Sequence, residues 1–438
     1  MLNRIQPWLL LLALGCPPLA WSQEVPQAFV GASLIPIAGD EIELGTLVIQ
    51  HGKIIAAGPF DAVEIPAAAE IHELSGHVIM PGLIDTHTHI GQVAGGDSSA
   101  PLHPDVRVLD SINVRHSSIQ KAQAGGLTTA NLMSGSGHLL SGQTVYLKLK
   151  DGRTIEELAI RDAQGTILGG IKMANGTNSQ RQPPFPATRA RSAALVRERF
   201  VKAQDYAEKL RLAGDDEDQR PPRDLGSEAL LEVLSGRRVV HHHTHRHDDV
   251  LTVLRLSREF GFKVVLHHVS DAWKVADEIA AAGAPCSLIV VDSPGGKLEA
   301  ADVAWKSGAV LEAAGVEVAF HTDDPITDSR LFLRSAALAV RAGMSRAGAL
   351  NALTISGARM LELDHRVGTL EAGKDADFVI LSGDPLSVYT RPHQTWVEGQ
   401  QVFDFNDPQD RLYALGGYGA GDPEIFEGCC LGPLGGER

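Results

Sequence analysis

The sequence predicts an α/β fold: a TIM-like (β/α)8 barrel over residues 81–362, with a small β-sandwich built from both chain ends. Three observations lead there. Apolar strand-like runs alternate with helical patterns about eight times across the centre, the pattern of a (β/α)8 barrel. Short β-rich segments cut by Gly and Asp stand at both ends of the chain. Metal-capable side chains recur where the central strand-like runs finish.

The elements follow in chain order. Residues 1–22 have a cationic start at Arg4, a short apolar core from Trp8 to Leu14 and the small-x-small pattern Ala20-Trp21-Ser22. This reads as a secretory signal peptide cut after Ser22, because the apolar run is too short to span a bilayer. A periplasmic or secreted protein is expected, with a lipoprotein signal at Cys16 as a minor alternative. Residues 23–80 contribute hairpin-like strands such as "GTLVIQHGKIIAAGP", in which "HGK" is a tight turn.

Eight candidate strands follow: "VIMPGLIDTH", "LTTANLMS", "TVYLKLK", "GGIKMAN", "RRVVHHHTH", "KVVLHHV", "CSLIVVD" and "EVAFHTD". Helical stretches lie between most of them, and several end in Gly, as a C-cap would. The charged, Pro-broken segment from Ala213 to Asp224 reads as a loop. Residues 363–405 return the strand texture, and 406–438 are expected to form an irregular, Gly-rich tail.

At 438 residues the chain can bury a large core, and 44% hydrophobic with 21% charged residues is ordinary for a globular protein. A net charge of −15 argues against nucleic acid and against an anionic membrane surface, leaving small-molecule or peptide chemistry. No membrane-spanning run is expected in the mature chain, and a homo-oligomer is left open. Without Cys16, the cysteines are Cys286, Cys429 and Cys430, too few for a disulfide scaffold and without a CxxC pair. Histidine must carry any metal.

Barrel enzymes place their reactive side chains at the C-terminal strand ends. In "VIMPGLIDTHTHIG", Asp85, His87 and His89 alternate along one strand and so share a face. The fourth strand ends in Lys172, and the sixth in His267 and His268. The fifth ends in "VVHHHTHRH", five histidines within seven residues, and the eighth in "HTDD", His321 to Asp324. A zinc ion, or two, held by imidazoles and carboxylate would lower the pKa of a water from near 16 to about 7. Asp323 beside it would move the proton, and His268 or His243 would polarise a carbonyl. No GxSxG element is present. The loops Ser134–Gln143 and Asn175–Gln182 follow strands and are candidates to shape the pocket.

The ordered set "VIMPGLIDTHTH", "AGGLTTA", "GIKMANG", "VVHHHTHRHDDVL", "VLHHVSDAWKVADEIAAAG", "VAFHTDDP" and "VGTLEAGKDADFVIL" resembles the amidohydrolase superfamily. The likeness is to its imidazolonepropionase-like and prolidase-like (Xaa-Pro dipeptidase-like) branch. It implies the barrel and sandwich, with His87 and His89 on the more buried zinc. It implies a carboxylated Lys172 bridging a second ion, His243 and His268 as ligands of the fifth and sixth strands, and Asp323 of the eighth as ligand and proton carrier. His267 is expected to face away or to support the ligands from behind, His242 to pack outward, and Asp324 to turn the loop. His245 stands where relatives carry a substrate-contacting tyrosine, and with Gln143 it is the expected substrate contact. The expected activity is hydrolysis of an amide, dipeptide or cyclic amide C–N bond; a deaminase and a non-catalytic metal-binding relative are the alternatives.

Overall fold

The computed structural model describes residues 25–290 and 297–416. The expected signal peptide with Cys16, and Cys429 with Cys430, lie outside the described residues. Cys286 is buried and unpaired.

Strands from both ends join one sheet of eight: Gln27–Leu34, Ile42–Gln50, Lys53–Pro59, Glu70–Glu73, Val78–Pro81, Phe378–Leu381, Pro392–Val397 and Gln400–Asp404. Their hydrogen bonds run continuously, where two separate layers were expected. The two ends meet where Val78–Pro81 pairs antiparallel with Phe378–Leu381. Beneath the sheet, Phe29 lies edge-on to Phe378 and Trp396, with ring centroids 5.0 and 5.1 Å away. The "HGK" turn carries positive φ at both His51 and Gly52, the type I′ geometry that matches strand twist.

In the centre, Leu83–Thr88 pairs parallel with Leu127–Leu132. Ile171–Ala174, Val240–Thr244, Val264–His268, Cys286–Ile289 and Val318–His321 form a second parallel run in sequence order. A backbone bond of 2.9 Å from Asp323 N to His87 O links the last strand end to the first. Helices cover the outside, and His247–Phe260 shows why they do. Its residues Val250, Val253, Leu254 and Phe260 recur at helical spacing and are buried in the main core. Gly261, at φ +74°, then ends it in the left-handed conformation.

Two expectations fail here. The third strand, Leu140–Gln143 continued by Val145–Lys148, runs antiparallel to both neighbours. Only residues 133–139 separate it from the second strand. That is too short for the dozen or more residues a parallel crossover needs. The tail is not irregular throughout: Pro408–Leu415 is a helix, with Asp407 accepting from Gln409 N and Asp410 N, Pro408 in the first turn and Gly416 closing it. Among the described residues no helix is long and apolar enough to cross a membrane.

Candidate metal centre

Residues paired across a parallel sheet share a face. The register pairs Lys172 with His241, His243 with His267, and His267 with Ser287, so all five side chains point inward in two layers. His267 therefore does not face away: its ring lies 5.0 Å from that of His87 and 5.4 Å from that of His321. Strict alternation would turn His268 outward. Its φ of +68°, followed by +41° at Val269, breaks the alternation and keeps the His268 ring inside, 4.8 Å from His87. Positive φ at a β-branched residue is strained, and such strain gathers at functional sites. Asp323, at φ +50°, shares it.

The centre forms around Asp323. Its Oδ1 lies 3.2 Å from His87 Nε2 and 2.9 Å from His89 Nε2, while His268 Nδ1 stands 4.0 Å from Oδ2. The His87 side chain is sealed at 0% exposure, whereas His89 and Asp323 reach 9% and 17%, so solvent meets the centre from their side. Lys172 Nζ, fully buried, lies 3.0 Å from His87 Nε2 and 3.2 Å from Met133 Sδ. Asp85 does not join these donors: it accepts from His87 N and from Thr322 N and Oγ1, tying the first strand to the end of the last. Asp324 turns off to Ser329, accepting from its N at 2.9 Å and its Oγ at 2.6 Å.

Burial holds the histidines neutral. His87, His243, His267 and His268 all fall well below the ordinary imidazole range, and His241 and His321 fall to about 3. Burial likewise lowers Lys172 to about 7, so much of it is a neutral amine at neutral pH. Burial would push Asp323 up, but His268 and His89 hold it well below the carboxylate range, and it is anionic.

These residues fit a bound cation. His89 Nδ1 lies 2.6 Å from Met133 O, so Nδ1 carries the proton and donates it there. Its Nε2 then faces the Asp323 carboxylate oxygen at 2.9 Å. A cation, proton or metal ion, fits between a nitrogen and a carboxylate oxygen that close. A tetrahedral zinc with bonds of about 2.0–2.1 Å sets its ligand atoms roughly 3.3 Å apart, close to the spacings around Asp323.

A hydrogen-bonded chain stands behind His268. Thr86 Oγ1 meets Ser287 Oγ at 2.6 Å, Ser287 Oγ meets His321 Nδ1 at 2.8 Å, and His321 Nε2 meets His268 Nδ1 at 3.1 Å. If Ser287 donates to His321, protons pass along the chain and His268 Nε2 carries N–H. If Ser287 accepts, His268 Nε2 presents a lone pair. The two roles expected of His268, carbonyl polariser and ligand, belong to opposite directions of this chain.

The remaining expected residues separate. His243 and His245 stand beside His268, with ring centroids 4.2 and 5.2 Å away, yet His243 converges with His245 and Glu299 instead of with Asp323. His242 is buried, its Nδ1 3.0 Å from His243 O. Gln143 is not at the cluster: its amide donates to Pro104 O at 3.2 Å and pairs the strand with Ile171, on the opposite face from Lys172. Sequence reasoning left His321 and Ser287 unassigned as inward residues; alternation back from Asp323 reaches His321, whereas Ser287 is placed by its pairing with His267, which spacing does not give. It named the loop Asn175–Gln182 but not Asn178 within it, whose Nδ2 lies 3.0 Å from His243 Nε2, and it missed Glu299; both come from short turns with no period to read.

The model of the family described as "Amidohydrolase family" matches residues 153–403. The crystal structure of an amidohydrolase from Thermotoga maritima MSB8 is 31% identical, with a TM-score of 0.80 over 86% of this chain and 99% of that one. Its likeness carries a TIM-barrel-type α/β fold. The amidohydrolase tasK of Hapsidospora irregularis is 27% identical over 392 residues, 82% of this chain, which spans only 40% of that protein's length. An imidazolonepropionase of Sphingopyxis alaskensis is 24% identical over 416 residues, 86% of this chain and 98% of its own length.

Proposed function

This chain belongs to the amidohydrolase family, a hydrolase acting on C–N bonds, and from that premise we propose that it cleaves small amides, dipeptides or cyclic amides with a divalent metal. The observation that carries the reading is the convergence of His89 Nε2 and His87 Nε2 on Asp323 Oδ1, at 2.9 and 3.2 Å. His87, His89 and Asp323 would hold zinc. When bound, that ion supplies Lewis acidity and a water acidified from near 16 to about 7.

The chain's own residues supply the rest. Asp323 is anionic and the most open member of the centre, so it takes the proton of the attacking water and returns it to the leaving nitrogen. His268 polarises the substrate carbonyl through Nε2–H, held in that tautomer by His321 and Ser287 acting as positioning residues. With the chain reversed, His268 becomes a further ligand. Lys172, lowered by burial to about 7 and so partly a neutral amine at neutral pH, is competent to take up carbon dioxide, and its carboxylated form would offer an anionic oxygen to the same centre. The same reading closes the strands into a (β/α)8 barrel, on the support of the Asp323 to His87 backbone bond. It places the protein in the periplasm or outside the cell on the leader-like first 22 residues, where dipeptides and scavenged amides are available.

The test is a screen of purified protein against dipeptides, cyclic amides and ring amidines, before and after chelation. Amide cleavage lost on chelation and restored by zinc is expected. Ammonia released from ring amidines with no amide cleaved would move the assignment to a deaminase.

A further inference from the structure

We propose that Tyr146 is a positioning residue for the metal centre: its hydroxyl, acting through His241, fixes His267 as a hydrogen-bond donor and so keeps that histidine off the ion. Tyr146 lies in Val145–Lys148, His241 in Val240–Thr244 and His267 in Val264–His268. Tyr146 Oη meets His241 Nε2 at 3.0 Å, and His241 Nδ1 meets His267 Nε2 at 3.0 Å. All three residues are buried, at 4%, 0% and 0% exposure. The free end of the chain is His267 Nδ1, which has no partner among the described residues. Its ring stands 5.0 Å from that of His87, and one nitrogen from each of His87, His267 and His321 lies within 4.8 Å of the other two.

The hydroxyl decides which way the chain runs. Burial keeps both imidazoles neutral, His241 at about 3 and His267 well below the ordinary range, and it pushes the Tyr146 hydroxyl up, so each group holds one hydrogen to give. Two arrangements satisfy both hydrogen bonds. In the first, Tyr146 donates to His241 Nε2, His241 donates from Nδ1 to His267 Nε2, and His267 carries its proton on Nδ1. In the second, His267 donates from Nε2, His241 donates to Tyr146, and the hydroxyl hydrogen is buried with no other acceptor among the described residues. The first leaves one buried group open, the His267 Nδ1–H. The second leaves two, the hydroxyl hydrogen and the Nδ1 lone pair, and each unpaired buried group costs free energy, so the first holds. The chain behind His268 lacks this bias, because Ser287 faces a second hydroxyl, that of Thr86, and can run either way. Gly170 makes room for the relay, since a Cβ there would lie 2.7 Å from His241 Nε2, the atom Tyr146 holds.

With Nε2 accepting and Nδ1 protonated, His267 has no lone pair left for a metal. Tyr146 thus separates the roles of two neighbouring histidines, His267 and His268, that both face inward. The tautomer stands on these hydrogen bonds alone; its effect at the ion rests on the Asp323 cluster being the proposed metal centre. The test uses the full chain, metal-free and carrying isotope-labelled histidine, and reads ring tautomers by NMR, with His241→Asn and His267→Asn assigning the two signals. Wild-type protein is expected to hold both rings as Nδ1–H, and Tyr146→Phe, which keeps the ring and loses the hydroxyl, to move His267 to Nε2–H. Cobalt(II) is then added and the visible spectrum read. His267→Asn is expected to leave the wild-type spectrum unchanged. The spectrum of Tyr146→Phe is expected to shift, and the shift to vanish when His267→Asn is added, because the freed Nδ1 is what reaches the ion. Thermal unfolding checks that each variant is folded, and His241→Gln, which cuts the same chain, carries the test if Tyr146→Phe is not. His267 held as Nε2–H in the wild type, or tautomers unchanged in Tyr146→Phe, would overturn the proposal, as would a wild-type cobalt spectrum that changes in His267→Asn. Cobalt bound with the wrong tautomer overturns this inference and leaves the proposed function standing. A wild type that binds no cobalt overturns the proposed function and, with it, this role.

Discussion

Two regions of the molecule bury charge, and they treat it oppositely. Under the eight-stranded sheet, Lys148 Nζ lies 2.6 Å from Asp377 Oδ2 and 2.9 Å from Asp375 Oδ2. Lys53 takes Asp375 Oδ1, Arg366 shares Oδ2, and Glu398 N donates to Asp377 Oδ1. All four carboxylate oxygens have donors. Burial pulls Lys148 down, yet Asp377 and Asp375 hold it above the ordinary lysine range. At the strand ends, by contrast, His87 Nδ1, His243 Nδ1, His245 Nε2, His268 Nε2 and Glu299 Oε1 are buried without partners among the described residues. Buried polar groups in a folded protein are nearly always satisfied, so a satisfied network holds the fold while a cluster of buried polar atoms without partners marks a place built for something else.

Substitutions can break that contrast. The largest effect is expected for His87→Ala, which should abolish amide hydrolysis and lower bound metal; full metal content with unchanged turnover would remove the site. Asp323→Asn keeps the volume and an oxygen but cannot take a proton, so kcat should fall by about 10² to 10⁴ with KM little altered. Asp324→Asn should change kcat only mildly, because its carboxylate is engaged by Ser329; steady-state kinetics showing the reverse order would shift the proton carrier to Asp324. Lys148→Met should leave turnover and metal content unchanged but lower the unfolding free energy by about 3–5 kcal/mol, since it strips the buried Asp377 carboxylate of its cation. Denaturant unfolding measures it, and a loss of metal in this variant would merge the two regions.

The strand ends were legible where alternation holds. His87 and His89 lie two apart on one strand, and Asp323 follows the last strand by two residues, so each could be placed from spacing. At His268 the spacing misleads, because positive φ there and at Val269 lets neighbouring histidines both face inward. Glu299 reaches the site from a three-residue turn, and nothing periodic announces it. Other features were present in the sequence and needed only a length or a cap. The seven residues 133–139 already forbid a parallel crossover into the third strand, and Asp407-Pro408 with Gly416 already frames a helix. Joining both chain ends was readable as texture, but not the single sheet they form, because pairing between distant strands is set by tertiary contacts.

The pairing of Val78–Pro81 with Phe378–Leu381 has a consequence for biogenesis. Those strands are separated by some three hundred residues of chain, and such long-range pairing is slow to form. Until Phe378 has left the ribosome, Val78–Pro81 is an open strand edge and Phe29 lacks the aromatic rings that cover it. An uncovered apolar edge of that kind recruits strands from other chains. A nascent or truncated product ending before Phe378 is therefore an aggregation-prone intermediate, and a chaperone that shields its amino-terminal strands would act there.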